Sequence, residues 1–85
     1  MTSLYFVYVL GSTNKNKVLT YVGWTINLEN RLNKHNSGKG ARFTRGRKWR
    51  LLYAEKHKSQ REAMKREWHL KRDRKFRRIM GECCQ

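Results

Sequence analysis

The sequence has no proline and only two cysteines, Cys83 and Cys84, which are adjacent near its C-terminus. Neighbouring cysteines cannot cross-link distant parts of a small fold, and no further cysteine completes a zinc site. We therefore expect two reduced thiols in a cytosolic tail. The absence of proline-rich, repetitive or low-complexity stretches also means that no linker between domains can be recognised.

Long hydrophobic runs are missing too. The longest, residues 4–10, has seven residues, whereas a membrane-spanning helix needs about 20. Only uncharged Thr2 and Ser3 separate this run from Met1, so we do not expect it to be a signal peptide, which has a basic leader. We expect a cytoplasmic protein, associated with the nucleoid if it is bacterial.

Acidic residues are scarce, since 6 Asp and Glu stand against 21 Lys and Arg, for a net charge of +15. Such a surplus repels itself unless an anion neutralises it, and a nucleic-acid backbone is the usual anion at this scale. A solvated surface that only aids solubility is the alternative.

With 85 residues, the chain predicts one domain over 1–85, with its core at about 4–80 and a short tail at 81–85.

Two β-rich runs begin the chain. Residues 4–10 are apolar on both alternating faces and predict a central strand, the polar residues 11–17 predict a turn, and residues 18–24 predict a second strand. The two strands are expected to form a hairpin. If its loop is centred between Asn14 and Lys15, Tyr8 lies opposite Tyr21 and the two side chains share a face.

A short helix and a third strand are expected next. Thr25 or Asn27 can cap a helix that runs to about Asn36 and ends before Gly38 and Gly40. Residues 37–48 are glycine-rich and basic, and predict a surface loop with a short helical turn. Residues 49–55 predict a strand, and alternation places three of its side chains on one face: Trp49, Leu51 and Tyr53.

The first helix carries a narrow apolar stripe of Leu28, Leu32 and His35, with Arg31 at its edge. Because arginine is abundant in this chain, a solvated Arg31 is the simplest interpretation from the residues alone.

The last third predicts two helices. Ser59 and Glu62 form a capping box, and Asp73 can cap a final helix that ends near Met80 and Gly81. The element order β-β-α-β-α-α predicts an α+β fold, with a small three-stranded, mostly antiparallel sheet flanked by helices. The inward stripe of the first of these two helices comprises Leu70, Ala63, Glu67, Lys71 and Met64.

Glu67 is the unusual member of that stripe, because a carboxylate on a buried face needs a cation or hydrogen-bond donors. The alternative is an exposed ion pair with Lys71 one turn later, since the helix can rotate.

Several short segments, taken in order, resemble the GIY-YIG nuclease superfamily, in particular its small stand-alone bacterial members and the N-terminal domain of the UvrC repair nuclease. The resemblance extends over about residues 4–79. It rests on Phe6-Val7-Tyr8, Tyr21-Val22-Gly23, the run from Asn27 to Leu32 with His35-Asn36, Gly38-Lys39-Gly40-Ala41, Thr44-Arg45, and Glu62-Ala63 with Glu67 and Lys71. The first segment departs from Gly-Ile-Tyr at two positions and keeps the tyrosine.

The resemblance implies hydrolysis of phosphodiester bonds with one divalent cation, Mg²⁺ or Mn²⁺, held by Glu67. Arg31 would stabilise the negative charge that develops on phosphorus. Tyr8 or Tyr21 would act as general base, with its pKa lowered from about 10 by Arg31 and the cation, and His35 is an alternative base or proton relay. Gly23 would let the backbone come close to the phosphate.

The basic residues are concentrated in the second half of the chain, since 17 of the 21 lie between Lys39 and Arg78. This distribution predicts contacts with phosphates on both sides of the cut site, without base readout. The residues expected to bind nucleic acid are Lys39, Arg42, Arg45, Arg47, Lys48 and Lys71. Trp49 is expected in the core, whereas for Phe43 both core packing and stacking on unpaired bases stay open.

The predicted function is therefore a DNA endonuclease with little intrinsic sequence specificity, acting in DNA repair or recombination. Two alternatives stay open from the sequence: a non-catalytic, basic nucleic-acid-binding module, and a nuclease subunit that needs a partner. RNA as the substrate also stays open, as does a homodimer or a protein partner that supplies specificity.

Overall fold

A three-stranded antiparallel sheet, in the order β2-β1-β3, forms the centre of the computed structural model, which describes residues 4–82. The α+β fold predicted from the sequence is confirmed. The elements along the chain are β1 (Tyr5–Asn14), β2 (Lys17–Thr25), α1 (Leu28–Asn36), a 3-10 turn (Arg42–Thr44), β3 (Arg50–His57), α2 (Gln60–Arg72) and α3 (Arg74–Glu82).

The hairpin of β1 and β2 is longer than predicted and has a different register. Its turn is formed by Lys15 (φ 47°) and Asn16 (φ 67°), and positive φ at both residues is the geometry of a tight two-residue hairpin turn. Residues 11–14, expected in a loop, pair as strand. Tyr8 is therefore opposite Gly23, and Tyr21 is opposite Leu10. The predicted Tyr8–Tyr21 pairing is wrong by two residues, but an even shift keeps both side chains on one face.

A bulge in β3 separates side chains that the sequence placed together. Leu51 pairs with Leu10 and Tyr53 with Val9, so Leu52 is an extra residue in β3. Trp49 therefore packs with Leu10, while Tyr53 packs on the opposite face. The prediction that Trp49, Leu51 and Tyr53 share a face is wrong for Tyr53, because a bulge interrupts the alternation of side chains.

Apolar side chains pack on both faces of the sheet, which explains why β1 is apolar on both sides. One layer, against α2 and α3, is built from Val7, Val9, Val22, Ala63 and Leu70. The other layer, toward α1 and the loop after it, is built from Tyr8, Leu10 and Trp49, with Leu19, Tyr21, Leu28 and Leu32. The core position predicted for Trp49 is confirmed.

The helices begin where the capping residues predict. Asn27, Ser59 and Asp73 each accept a hydrogen bond from a backbone N–H three residues later, at 3.0, 3.1 and 3.0 Å. The last helix extends through Gly81 to Glu82 rather than leaving a tail from residue 81. The prediction of reduced thiols in the tail falls on residues 83 and 84, outside the described residues.

Arg66 of α2 forms an ion pair with Glu55 of β3. Arg66 Nε donates to Glu55 Oε1 at 2.6 Å, and Glu55 raises the pKa of the Arg66 guanidinium. Ala63 is buried, whereas Met64 is 49% exposed, so Met64 does not belong to the inward stripe as predicted. No helix within residues 4–82 is long and apolar enough to cross a membrane.

The geometry of the hairpin turn predicts opposite effects for two substitutions that remove the same charge. Lys15→Asn places a residue that tolerates positive φ at this position and raises the free energy of unfolding by up to about 1 kcal/mol. Lys15→Val places a β-branched residue there and lowers it by a similar amount. Urea unfolding of both variants measures the difference. Equal stabilities would show that residue 15 does not adopt the left-handed conformation.

Candidate active site

A groove of about 620 Å³ opens where β1 begins and β2 ends. Its lining includes four of the five side chains predicted to be catalytic, Tyr8, Tyr21, Arg31 and Glu67, together with Gly23. We call it the tyrosine groove and define it by these residues. Its other lining residues are Tyr5, Trp24, Thr25, Ile26 and Gln60.

Three layers of the fold contribute to the tyrosine groove. Tyr8 and Tyr21 extend from neighbouring strands on the face toward α1, and α1 itself carries Arg31. Glu67 belongs to α2, whose buried residues pack on the opposite face of the sheet. The four side chains therefore meet only because the groove lies at an end of the sheet, where both layers are accessible.

Gly23 makes room for the phenol of Tyr8. A Cβ atom at position 23 would lie 2.5 Å from Tyr8 Oη and 2.7 Å from Tyr8 Cζ. A side chain there would force the Tyr8 ring to move. The sequence assigned Gly23 to close approach of a phosphate, and the structure adds this more immediate reason for a glycine.

The fifth predicted residue, His35, lies behind Tyr8 in a chain of buried hydrogen bonds. His35 Nε2 is 2.9 Å from Tyr8 Oη, and His35 Nδ1 is 2.9 Å from Thr44 Oγ1. Thr44 Oγ1 donates in turn to the carbonyl oxygen of Ala41 at 2.7 Å. Since His35 and Thr44 are both fully buried, the two bonds of the His35 imidazole are shielded from water, whereas the bond to Ala41 is part-buried.

Burial keeps both partners of the Tyr8–His35 hydrogen bond neutral. It lowers the pKa of His35, and nearby Arg31 lowers it further. Burial also raises the pKa of Tyr8; Arg31 opposes this, while Tyr21 and Glu67 contribute to the rise. Arg31 does lower the pKa of Tyr8, as expected, but the effect of burial is larger and the pKa is raised overall. Tyr8 is therefore a phenol beside a neutral imidazole.

Arg31 has an unsatisfied donor. Its Nε is buried and has no hydrogen-bond partner among residues 4–82. An unpaired buried donor is costly, and an anionic oxygen in the groove would satisfy it. This position differs from that of the solvated arginine expected by default.

The sequence left two alternatives for Glu67, an inward-facing carboxylate and an ion pair with Lys71, and the structure combines them. It lines the groove, and its Oε1 is 3.1 Å from Lys71 Nζ in an ion pair one helical turn apart. No group of three or more His, Cys, Asp or Glu within residues 4–82 could hold a metal ion. A single carboxylate suits a hard cation such as Mg²⁺ or Mn²⁺, which takes its other ligands from water and phosphate oxygens.

Residues 4–80 match the family of the GIY-YIG catalytic domain. The chain belongs to the GIY-YIG family. It is thereby related to endonucleases, and the resemblance found in the sequence is confirmed.

Its relatives are bacterial proteins of the UPF0213 group. A UPF0213 protein of Oceanobacillus iheyensis is 38% identical over 80 residues, covering 93% of this chain and 90% of the relative. One from Clostridium perfringens is 43% identical over 68 residues, covering 79% and 70%. One from Syntrophus aciditrophicus is 41% identical over 69 residues, covering 79% and 76%. No solved structure matches the chain.

The basic loop of this GIY-YIG chain, residues 37–49, is held in a defined shape. Trp49 Nε1 donates to the Thr44 carbonyl at 2.9 Å, and Trp49 N donates to Asn36 Oδ1 at 2.6 Å. These bonds fasten the loop to its own turn and to the end of α1. Lys39, Arg42, Arg45 and Lys48, predicted to bind nucleic acid, are exposed on it.

The remaining two residues predicted to bind nucleic acid already have partners. Arg47 Nε donates to the Phe43 carbonyl at 3.4 Å, and its guanidinium lies 5.5 Å from the centre of the Phe43 ring. Lys71, as described above, pairs with Glu67. Both contacts are at least partly exposed to solvent, so they can be exchanged at small cost.

Aromatic rings extend from the site of this GIY-YIG chain to its surface. The Tyr21 ring centre is 4.9 Å from that of His35, and Phe43 stacks on Tyr21 at 6.3 Å with an interplanar angle of 19°. Phe43 is 49% exposed. Its outer surface is thus available for stacking, as the sequence suggested.

Thr44 is the residue of this site that the sequence analysis did not identify. In the sequence it stands only within the motif Thr44-Arg45, which implies no role for the hydroxyl. A threonine in a polar loop carries no signal of burial by itself. Its contact with His35, nine positions earlier, depends on how the loop folds back.

The lowered pKa of His35 predicts that this GIY-YIG chain loses stability in acid. The unfolded state binds the proton near the ordinary value of 6.5, whereas the folded state resists it to a lower pH. The stabilisation is therefore complete above pH 6.5 and is lost as the pH falls through the folded pKa. Denaturant unfolding at pH 7.5 and 5.5 measures this loss.

His35→Gln is the matched variant, because it removes only this imidazole and leaves His57 and His69 in place. We expect its stability to fall less than that of the unsubstituted protein over the same interval. An equal fall in both proteins would contradict a depressed His35 pKa.

Proposed function

We propose that this GIY-YIG chain is a DNA endonuclease that hydrolyses phosphodiester bonds with one divalent cation, Mg²⁺ or Mn²⁺, and with little intrinsic sequence specificity. The observation that carries the proposal is the meeting of Tyr8, Arg31 and Glu67 in one groove. These residues come from β1, α1 and α2, and packing alone does not require a phenol, a guanidinium and a carboxylate at the same place.

Tyr8 is the proposed general base, and His35 takes its proton. The attacking water gives a proton to Tyr8 Oη while the phenolic proton passes to His35 Nε2, 2.9 Å away. The resulting hydroxide forms the new bond to phosphorus, and the bond from phosphorus to the leaving nucleoside oxygen breaks. That oxygen then takes a proton from solvent. This transfer lets Tyr8 act as a base although its pKa is raised.

Tyr21 has a different proposed role. Its ring packs against the rings of His35 and Phe43. Among the described residues, its hydroxyl has no hydrogen bond like the one that Tyr8 makes to His35. It packs the imidazole in place and borders the groove. The choice between the two tyrosines, which the sequence left open, therefore favours Tyr8.

Arg31 is proposed to bind the non-bridging oxygens of the phosphate that is cut. Its Nε lacks a partner among residues 4–82, and a guanidinium presents neighbouring donors in a fixed plane. The charge on these oxygens rises as the fifth bond to phosphorus forms. Arg31 consequently binds the transition state more tightly than the substrate.

Glu67 would hold the divalent cation. When bound, the cation supplies positive charge beside the phosphate oxygens and the attacking water. Lys71 must first leave Glu67, and because the Lys71 side chain is 49% exposed, solvent can take over its contacts at small cost. Lys71 is then released to contact a neighbouring phosphate.

The exposed basic loop is proposed to bind the DNA backbone. Lys39, Arg42, Arg45 and Lys48 are exposed there, and phosphate contacts of this kind position a duplex without reading its sequence. Phe43 offers a surface for an unpaired base. Specificity would come from DNA shape, from a homodimer or from a protein partner, and the proposed setting is DNA repair or recombination.

A second candidate function is non-catalytic binding of nucleic acid. The observation that favours it is the Glu67–Lys71 ion pair, which gives the carboxylate a partner without any ion. A binding module with this pair would be insensitive to chelators. A nuclease subunit that needs a partner would also bind without cutting, but would gain activity when the partner is added.

Cleavage of labelled duplex, flap, junction and single-stranded DNA, with Mg²⁺, Mn²⁺ or chelator, tests the proposal. Glu67→Gln is expected to lower the cleavage rate by at least about 100-fold, with a Kd for DNA within about threefold, because it removes the proposed ligand and adds no charge to repel phosphate. Glu62→Gln, an exposed carboxylate in the first turn of the same helix, should cleave normally.

Undiminished cleavage by Glu67→Gln would contradict the assignment of the ligand. Cleavage that persists in the chelator would contradict the need for a cation. Tight binding without cleavage by any of the proteins would favour the binding module.

A further inference from the structure

We propose that Thr44 is a positioning residue, whose hydroxyl holds His35 in the Nδ1-protonated tautomer and so directs the bare Nε2 at Tyr8. This inference rests on the proposed function, in which His35 accepts the Tyr8 proton. It also gives the basic loop a second task, because the residue that orients the proton acceptor belongs to the segment that carries the phosphate contacts.

The tautomer follows from counting protons along the chain of hydrogen bonds. The Ala41 carbonyl can only accept, so the single hydroxyl proton of Thr44 is used there, at 2.7 Å. Thr44 Oγ1 must then accept from His35, at 2.9 Å, which places a proton on Nδ1. A neutral imidazole carries only one proton. His35 Nε2 is therefore the acceptor, and Tyr8 donates to it at 2.9 Å.

The other tautomer would disable the relay. With its proton on Nε2, the imidazole would donate to Tyr8 and have no lone pair to receive the phenolic proton. It would also set a bare Nδ1 against Thr44 Oγ1, whose only proton is already given to Ala41. Because His35 and Thr44 are fully buried, water cannot compensate, and the mismatch would leave unsatisfied polar atoms.

Another residue of the same loop, Gly40, lies close to the same edge of the ring. A Cβ atom at Gly40 would press on His35 Nδ1 and lie 3.0 Å from His35 Cα. Only a glycine lets the loop pass this close. Gly40 and Thr44 thus both lie against the imidazole edge that carries Nδ1.

The 3-10 turn that carries Thr44 also carries exposed cations. Arg42 lies in the turn and Arg45 directly follows it, with Arg45 N donating to the Arg42 carbonyl at 3.3 Å. Trp49 fastens the same turn through the Thr44 carbonyl. A phosphate bound at Arg42 or Arg45 therefore acts on the segment that sets the orientation of His35.

Two substitutions at position 44 separate positioning from packing. Thr44→Val keeps the shape and removes the hydroxyl, whereas Thr44→Ser keeps the hydroxyl. The tautomer is read from the ¹⁵N chemical shifts of the His35 imidazole, and kcat and KM come from DNA cleavage. Melting of each variant shows that it is folded.

We expect Nδ1 to be the protonated nitrogen of His35 in the unsubstituted protein and in Thr44→Ser. Thr44→Val should lose this preference and lower kcat by about 10–100-fold, the usual effect of removing a group that orients a functional histidine. Its KM should stay within about threefold. Thr44→Ser should recover most of the activity.

Three results would overturn the proposal: a proton on Nε2 in the unsubstituted protein, full activity of Thr44→Val, or a Thr44→Ser variant as impaired as Thr44→Val. If Thr44→Val fails to fold, two results still overturn the proposal. One is a proton on Nε2 in the unsubstituted protein, and the other is a Thr44→Ser variant that cleaves much more slowly than the unsubstituted protein. Absence of cleavage by the unsubstituted protein would overturn the proposed function, and with it the catalytic role of Thr44. The ¹⁵N measurement alone would still show whether the hydroxyl fixes the tautomer.

Discussion

The hydrogen bond between Tyr8 and His35, buried between the sheet and α1, is the interaction on which the rest of the site depends. Water is excluded from it, so each partner must find its hydrogen bonds within the protein. Gly23 leaves space for the phenol, and the loop after α1 closes over the imidazole. The 2.9 Å contact between Tyr8 and His35 is the geometry on which the proposed proton transfer rests.

Charge at this site comes from two separate helices. Arg31 approaches from α1 and Glu67 from α2, which packs on the opposite face of the sheet. Ala63 and Leu70 of α2 are buried against the sheet, and Glu67 of the same helix lines the groove. The proposed hydrolysis thus depends on helix orientation as much as on the side chains themselves.

The features of the fold that depend on neighbouring residues in the chain could be predicted from the sequence. Helix starts followed from capping side chains, and the central strand from a run that is apolar on both faces. The hairpin register was wrong because residues 11–14 are polar yet pair as strand, and the bulge at Leu52 breaks an alternation that no local signal marks. Thr44 was missed, and the raised pKa of Tyr8 was not foreseen, because both depend on burial created by distant segments.

Comparison of Tyr8→Phe with Tyr21→Phe tests the central claim most directly. Each variant loses one hydroxyl and keeps its ring, so cleavage of DNA under single-turnover conditions reports the hydroxyl alone. The account predicts that Tyr8→Phe lowers the rate by about 10²–10⁴-fold, the usual contribution of a general base, while Tyr21→Phe lowers it by less than about tenfold. A larger loss in Tyr21→Phe, or equal rates in both, would contradict the account.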